Sequence, residues 1–160
     1  MEWFVKVFLK ASLAWLALGV TLGGAMAAHP AWIVFKPVHA HMTVLGFVTM
    51  MIYGVAYHII PRFAGHPLHS PRLAVAQWWV SNAGLATMAT GFALRALGSM
   101  SVATGILAVG GVASACAAYC FVYNIWCTLD GPTHARQRRR GTLPILDEQP
   151  PKRPRALGSA

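Results

Sequence analysis

The side chains with the widest chemical reach in this 160-residue chain are its seven histidines, seven methionines and three cysteines. His39 and His41 form an HxH pair, with His29 ten residues upstream and Met26, Met42 and Met100 beside the ends of apolar stretches. Imidazole nitrogens and thioether sulfurs are the donors that haem iron and copper accept. A second group, His58, His66 and His69, follows the same apolar stretch as the pair. Cys116, Cys120 and Cys127 lie together in the last one, where they cannot build a disulfide framework by ordinary pairing. The only acids are Glu2, Asp130, Asp147 and Glu148, all near the chain ends. Paired carboxylates, an activated nucleophile or a phosphate-cradling loop find no support in that inventory, which argues against hydrolytic chemistry.

The elements that must position these residues are set by composition. Apolar residues make up 56% of the chain and charged residues 11%, and the mean hydropathy is +0.52. A soluble globule of that composition could not cover itself with polar surface, so a bilayer is the expected solvent. A span needs about 20 mostly apolar residues, and four segments qualify, at about 7–28, 39–60, 73–97 and 102–128. The first is longer than a signal peptide and is followed by three more spans, so it is read as a retained anchor. Pro61 is expected to stop the second, because proline cannot continue a helix cleanly. Short links make consecutive helices antiparallel neighbours. The expected fold is an all-α membrane protein, a four-helix up-down-up-down bundle over residues 1–131, with no internal repeat.

Charge orients that bundle. Lys6, Lys10, Arg62, Arg72 and the run Arg136, Arg138, Arg139 and Arg140 fall at one side, and only Lys36 and Arg95 at the other. The excess of basic residues predicts both termini on the cytoplasmic side of a bacterial-type inner membrane. Most of the net charge of +9 sits in a basic, proline-rich tail over residues 132–160, expected to be disordered and drawn to anionic lipid. No nucleic-acid partner is expected.

At about 100° per residue, His39, Thr43, Gly46, Met50, Tyr53 and Tyr57 share one face of the second helix. Leu45, Val48, Ile52, Val55 and Ile59 form the opposite, aliphatic face. The first suits a bundle interior and the second suits lipid. His39 therefore points inward, and His41 about 200° away. Gly46, two turns below His39, removes side-chain bulk, which suits either a flat macrocycle lying on the helix or ordinary close packing.

The stretch Pro37-Val38-His39-Ala40-His41, followed by Leu45-Gly46-Phe47-Val48 and then Tyr53-Gly54-Val55-Ala56-Tyr57-His58-Ile59-Ile60-Pro61-Arg62, resembles the second-helix region of heme-copper oxidase subunit I. The likeness runs over roughly residues 39–96 and is greatest to the C-type oxidase and nitric oxide reductase branch and its short stand-alone relatives. In that family a histidine at the start of this helix ligates a low-spin haem b. The resemblance thus implies haem b on His39, with His41 its nearest competitor. It also implies a place in respiratory electron transfer or the handling of a small ligand such as nitric oxide. The family's other metal ligands come from later helices, and this chain has no histidine between Arg72 and His134. It cannot by itself be a complete terminal oxidase or nitric oxide reductase.

A six-coordinate haem would take its second axial ligand from His29, Met26, Met100 or another copy of the chain, and Arg95 could pair with the propionates. Copper bound by His29, His39 and His41 with Met42 and Met100 is the alternative. An assembly or accessory subunit of a larger respiratory complex is a further one, with Asn82 and Asn124 as interhelical hydrogen-bonding groups. His58, His66 and His69 are candidates for a second metal or a quinone headgroup.

Overall fold

The computed structural model describes residues 1–131, and the secondary structure of those residues is helical throughout. The basic stretch 132–160, with the expectations of disorder and lipid attraction attached to it, lies outside the described residues. Helix α1 covers Trp3–Ala28, and a 3-10 helix over Pro30–Phe35 leads into α2 at Lys36–His41. A π-helical segment, Met42–Thr49, joins α2 to α3 at Met50–Ala64 without a break. Helices α4, Pro71–Ala96, and α5, Met100–Asp130, complete the order.

Three helices are long and apolar enough to cross a membrane: Trp3–Ala28, the continuous run Pro30–Ala64, and Met100–Asp130. The fourth expected span, α4, falls short of that measure for a physical reason. It carries Arg72, Gln77, Ser81 and Asn82, of which Gln77 is fully buried and Ser81 nearly so.

The second helix departs from expectation at both ends and in its middle. It begins at Lys36, three residues before His39, because the link after Pro30 is itself helical. It also runs through Pro61 for another turn. Proline removes one helical hydrogen bond and crowds the carbonyl four residues earlier, yet membrane helices absorb this where neighbours and end turns re-satisfy the backbone. The helix stops instead at Gly65, whose φ of 72° is the left-handed conformation that favours glycine. There Gly65 N–H donates to Arg62 O and His66 N–H to Pro61 O, both at 3.3 Å, which is a Schellman closure.

The two-faced reading of this helix fits most of the observed burial. Gly46, Met50, Tyr53 and Tyr57 are buried, while Val48, Ile52, Val55 and Ile59 are exposed. The exceptions are His39 and Thr43, only half-buried on the inward face, and Leu45, half-buried and packed against the core. Leu45 departs for a local reason. It lies in the π segment, whose wider i→i+5 turns carry extra residues and break the uniform 100° count.

Two tight seams hold the helices together. Along the first, Gly46 receives Trp15 and Gly54 receives Phe8 and Leu9, and Phe4 and Phe8 meet Tyr57 and Tyr53 edge-on, with ring centroids 6.1 Å apart. Phe121 of α5 closes this aromatic cluster at 4.4 Å from Tyr53. Along the second, α4 and α5 approach backbone to backbone. A Cβ added at Gly110 would lie 2.6 Å from Met88 N and 2.9 Å from Gly84 O. Hydrogen bonds pin the seams: Trp15 Nε1 donates to Asn82 Oδ1 at 3.0 Å. Asn124 accepts from Ser70 N and donates to Ser70 O, both at 2.9 Å. The two asparagines thus bridge elements as the sequence suggested.

Backbone contact at Gly110 makes a sharp prediction. Gly110→Ala should lower the stability of the detergent-solubilised protein by about 1–3 kcal/mol, since the clash is with main chain that cannot move aside. Gly111→Ala, where a Cβ meets nothing within 4 Å, should leave the thermal midpoint unchanged. Equal effects of the two substitutions would refute the close approach.

Candidate functional site

One end of the bundle gathers the C-terminus of α1, the 3-10 helix, α2 and the last turn of α4, and with them His29, Lys36, His39, His41 and Arg95. The imidazole of His39 lies on the facet left bare by Gly23. A Cβ there would come within 2.9 Å of His39 Cε1 and 3.2 Å of Nδ1. His39 Nδ1 is 2.8 Å from Gly19 O. A carbonyl can only accept, so Nδ1 carries a proton, and the neutral ring in this tautomer has its lone pair on Nε2. Thr43 Oγ1 donates to His39 O at 3.0 Å, tying the same turn.

His41 does point away from His39's side, but toward protein rather than lipid. Its ring stacks on Phe92 of α4 with centroids 4.7 Å apart and planes tilted by 35°. Its Nδ1–H donates to Pro37 O at 2.8 Å, so His41 also keeps a free Nε2. The two imidazoles are therefore held on different helices, His39 on α1 and His41 on α4.

The space at Gly46 is filled. A Cβ there would meet Trp15 Cβ at 2.6 Å and Leu85 Cδ2 at 2.9 Å, so of the two uses foreseen for this glycine the structure displays close packing. Trp15 lies where a flat macrocycle would have to rest. His29 is exposed at the end of α1, its ring 5.6 Å from that of Trp32. Arg95 and Met100 are exposed, and Met26 and Met42 are half-buried. Beside this end an open groove of about 650 Å3 runs along α1, lined by residues that include Ala17, Thr21, Ala25, Trp32 and Met42.

At the opposite end, Arg62 Nη1 donates to His58 Nδ1 at 2.9 Å. His66 and His69 line a cavity of about 270 Å3 with Cys127. His69 N–H donates to Thr128 Oγ1 at 3.0 Å. The three cysteines are free thiols, with Cys116 exposed rather than packed inside. Among the described residues no three histidine, cysteine or carboxylate side chains converge on one metal-sized point.

Of the residues that shape His39, Thr43 lies on the inward face legible in the sequence, whereas Gly19 and Gly23, on the first span, do not stand out there as part of a site. The available signal was the i, i+4 glycine pair in the first span, since two glycines one turn apart leave a flat strip on which a neighbouring ring can lie.

That contact sets a spectroscopic expectation. In 15N-labelled protein, the neutral form of His39 should report its proton on Nδ1, and Gly23→Val, by pushing the ring off its facet, should produce a mixture of tautomers. An Nε2–H tautomer in the unsubstituted protein would disprove the bond to Gly19 O.

No protein-family model and no curated protein matches this sequence.

Proposed function

We propose that this chain is a multi-pass protein of a bacterial-type inner membrane that carries haem b on His39. In this reading all four long helices cross the bilayer, up-down-up-down, with both termini cytoplasmic. Helix α4 crosses because its polar groups are spent inside the bundle, and the basic residues at the opposite end from His39 favour that orientation.

The observation that carries the haem reading is the bond from His39 Nδ1–H to Gly19 O. Metal-bound imidazoles commonly donate their other ring N–H to a carbonyl in this way, which fixes the tautomer and leaves Nε2 for the metal. The donor chemistry fits an axial ligand, whereas the filled space at Gly46 means that a macrocycle could not lie on that part of the helix. Haem iron, when bound, supplies one-electron transfer or a site for a small ligand such as nitric oxide. His39 would hold it, and Arg95 at the same end would pair with its propionates. The second axial ligand comes from His29, Met26, Met100 or another copy. The resemblance to heme-copper oxidase subunit I points the same way, as a truncated relative in a respiratory chain rather than a complete oxidase.

Protein expressed with ample haem and purified in mild detergent should give a b-type reduced-minus-oxidised spectrum with stoichiometric iron. His39→Ala should abolish the spectrum, and His41→Ala should weaken it less. A colourless protein would remove the haem reading, and retention of haem by His39→Ala would show that another residue is the ligand. For the topology, Ser99→Cys in a background with Cys116, Cys120 and Cys127 replaced by Ala should react in intact cells with a thiol reagent that cannot cross membranes. Failure to react there, with reaction in opened cells, would reverse the orientation or remove α4 as a span.

A second reading is an accessory subunit of a larger respiratory membrane complex, copper-handling or without chemistry of its own. It is favoured by the open groove on α1, whose alanines would let a foreign helix approach closely. A colourless protein that co-purifies stoichiometrically with an oxidase complex would select this reading.

A further inference from the structure

Hydroxyls inside a helix usually bond back to the carbonyl of the preceding turn, and most of those here do. Thr21 donates to Ala17 O, Thr43 to His39 O, Thr90 to Ala86 O and Thr104 to Met100 O, at 2.8–3.0 Å. Ser81 on α4 and Ser114 on α5 do not. Their Oγ atoms are buried and have no hydrogen-bond partner among the described residues, and Ser81 is only 6% exposed. Both line one small cavity, together with Leu45, Thr49, Met50, Tyr53 and Leu85. The cavity lies where α4, α5 and the π segment meet. Leu45 and Thr49 reach it from that segment's widened turns.

The cavity measures about 20 Å3, and a water molecule needs about 10–15 Å3 on the same measure and two to four polar partners. Thr49 Oγ1 already donates to Val44 O at 2.9 Å, so it remains an acceptor. We propose that the cavity is a binding site for one ordered water molecule, held by the Ser81 and Ser114 hydroxyls with Thr49 Oγ1 as a third partner. The volume admits nothing larger than a molecule of that size, and three hydroxyls on an otherwise largely apolar lining give such a molecule its partners. Two orphan hydroxyls facing an empty space would each leave a desolvated group uncompensated. A shared water satisfies both and stitches α4 and α5 to the second helix at mid-span. The site rests on packing alone and stands whether or not haem binds at His39.

The test turns on the sign of a stability change in the full chain, purified in detergent. If the water is present, Ser81→Ala and Ser114→Ala each strip it of a partner and lower the thermal midpoint. The double variant should then lose less than the two losses added together, because one water is removed once. If the cavity is dry, each alanine deletes an unsatisfied hydroxyl, and the midpoint rises or stays where it was. That result overturns the proposal. A structure that resolves ordered solvent gives an independent check, with a density peak between Ser81 Oγ and Ser114 Oγ expected. Its absence there overturns the proposal as well.

Discussion

The structure depends above all on how closely its helices can approach one another. Lipid tails are as apolar as leucine, so burying aliphatic side chains between helices gains little over leaving them in the bilayer. What favours association is van der Waals contact at short range and hydrogen bonds that have no competitor in hydrocarbon. Glycine supplies the first, at Gly46 and Gly54 on the second helix and at Gly84 and Gly110 between α4 and α5. Trp15 with Asn82, and Asn124 with Ser70, supply the second. The aromatic cluster of Phe4, Phe8, Tyr53, Tyr57 and Phe121 fills the wedge between these seams near the basic end.

The same rule of close approach builds the histidine end. Gly23 is needed there less for helix packing than to give the His39 ring a surface, and the ring then finds Gly19 O within reach. His41, two residues on, is carried to α4 and rests on Phe92. One dipeptide spacing thus separates two chemically identical groups onto different neighbours. Each has its Nδ1 proton bound to a backbone carbonyl, so tautomer does not distinguish them as ligands and position does.

Polar groups inside the bundle are partnered unevenly. Asn124 closes on Ser70, Thr128 receives His69 N–H and donates to Asn124 O, and Tyr57 donates to Gln77 Oε1. Gln77 Nε2, Trp78 Nε1, Ser81 Oγ and Ser114 Oγ are buried without a partner among the described residues. Alongside α5, which buries Asn124 and Thr128, α4 buries Gln77 and Ser81 and is the least apolar of the long helices. Its polarity is directed at its neighbours rather than at lipid.

Composition and local hydropathy alone were enough to read an all-helical chain with helices apolar enough to cross a membrane, the approximate location of those helices, and an inward and an outward face on the second. Those are properties of short windows of sequence, because transfer to lipid depends on local hydropathy and the face of a helix on a fixed angular step. The extent of the second helix was not legible in that way. Pro61 reads locally as a stop, and the π segment at Met42–Thr49 changes the angular step without a residue type that announces it. Nor could the sequence say what occupies the space above Gly46 or which helix His41 meets. Both depend on residues far along the chain, Trp15, Leu85 and Phe92, that only the packed bundle brings together. Local rules decide which side of a helix is polar, but the identity of the neighbour on that side is a property of the assembled fold.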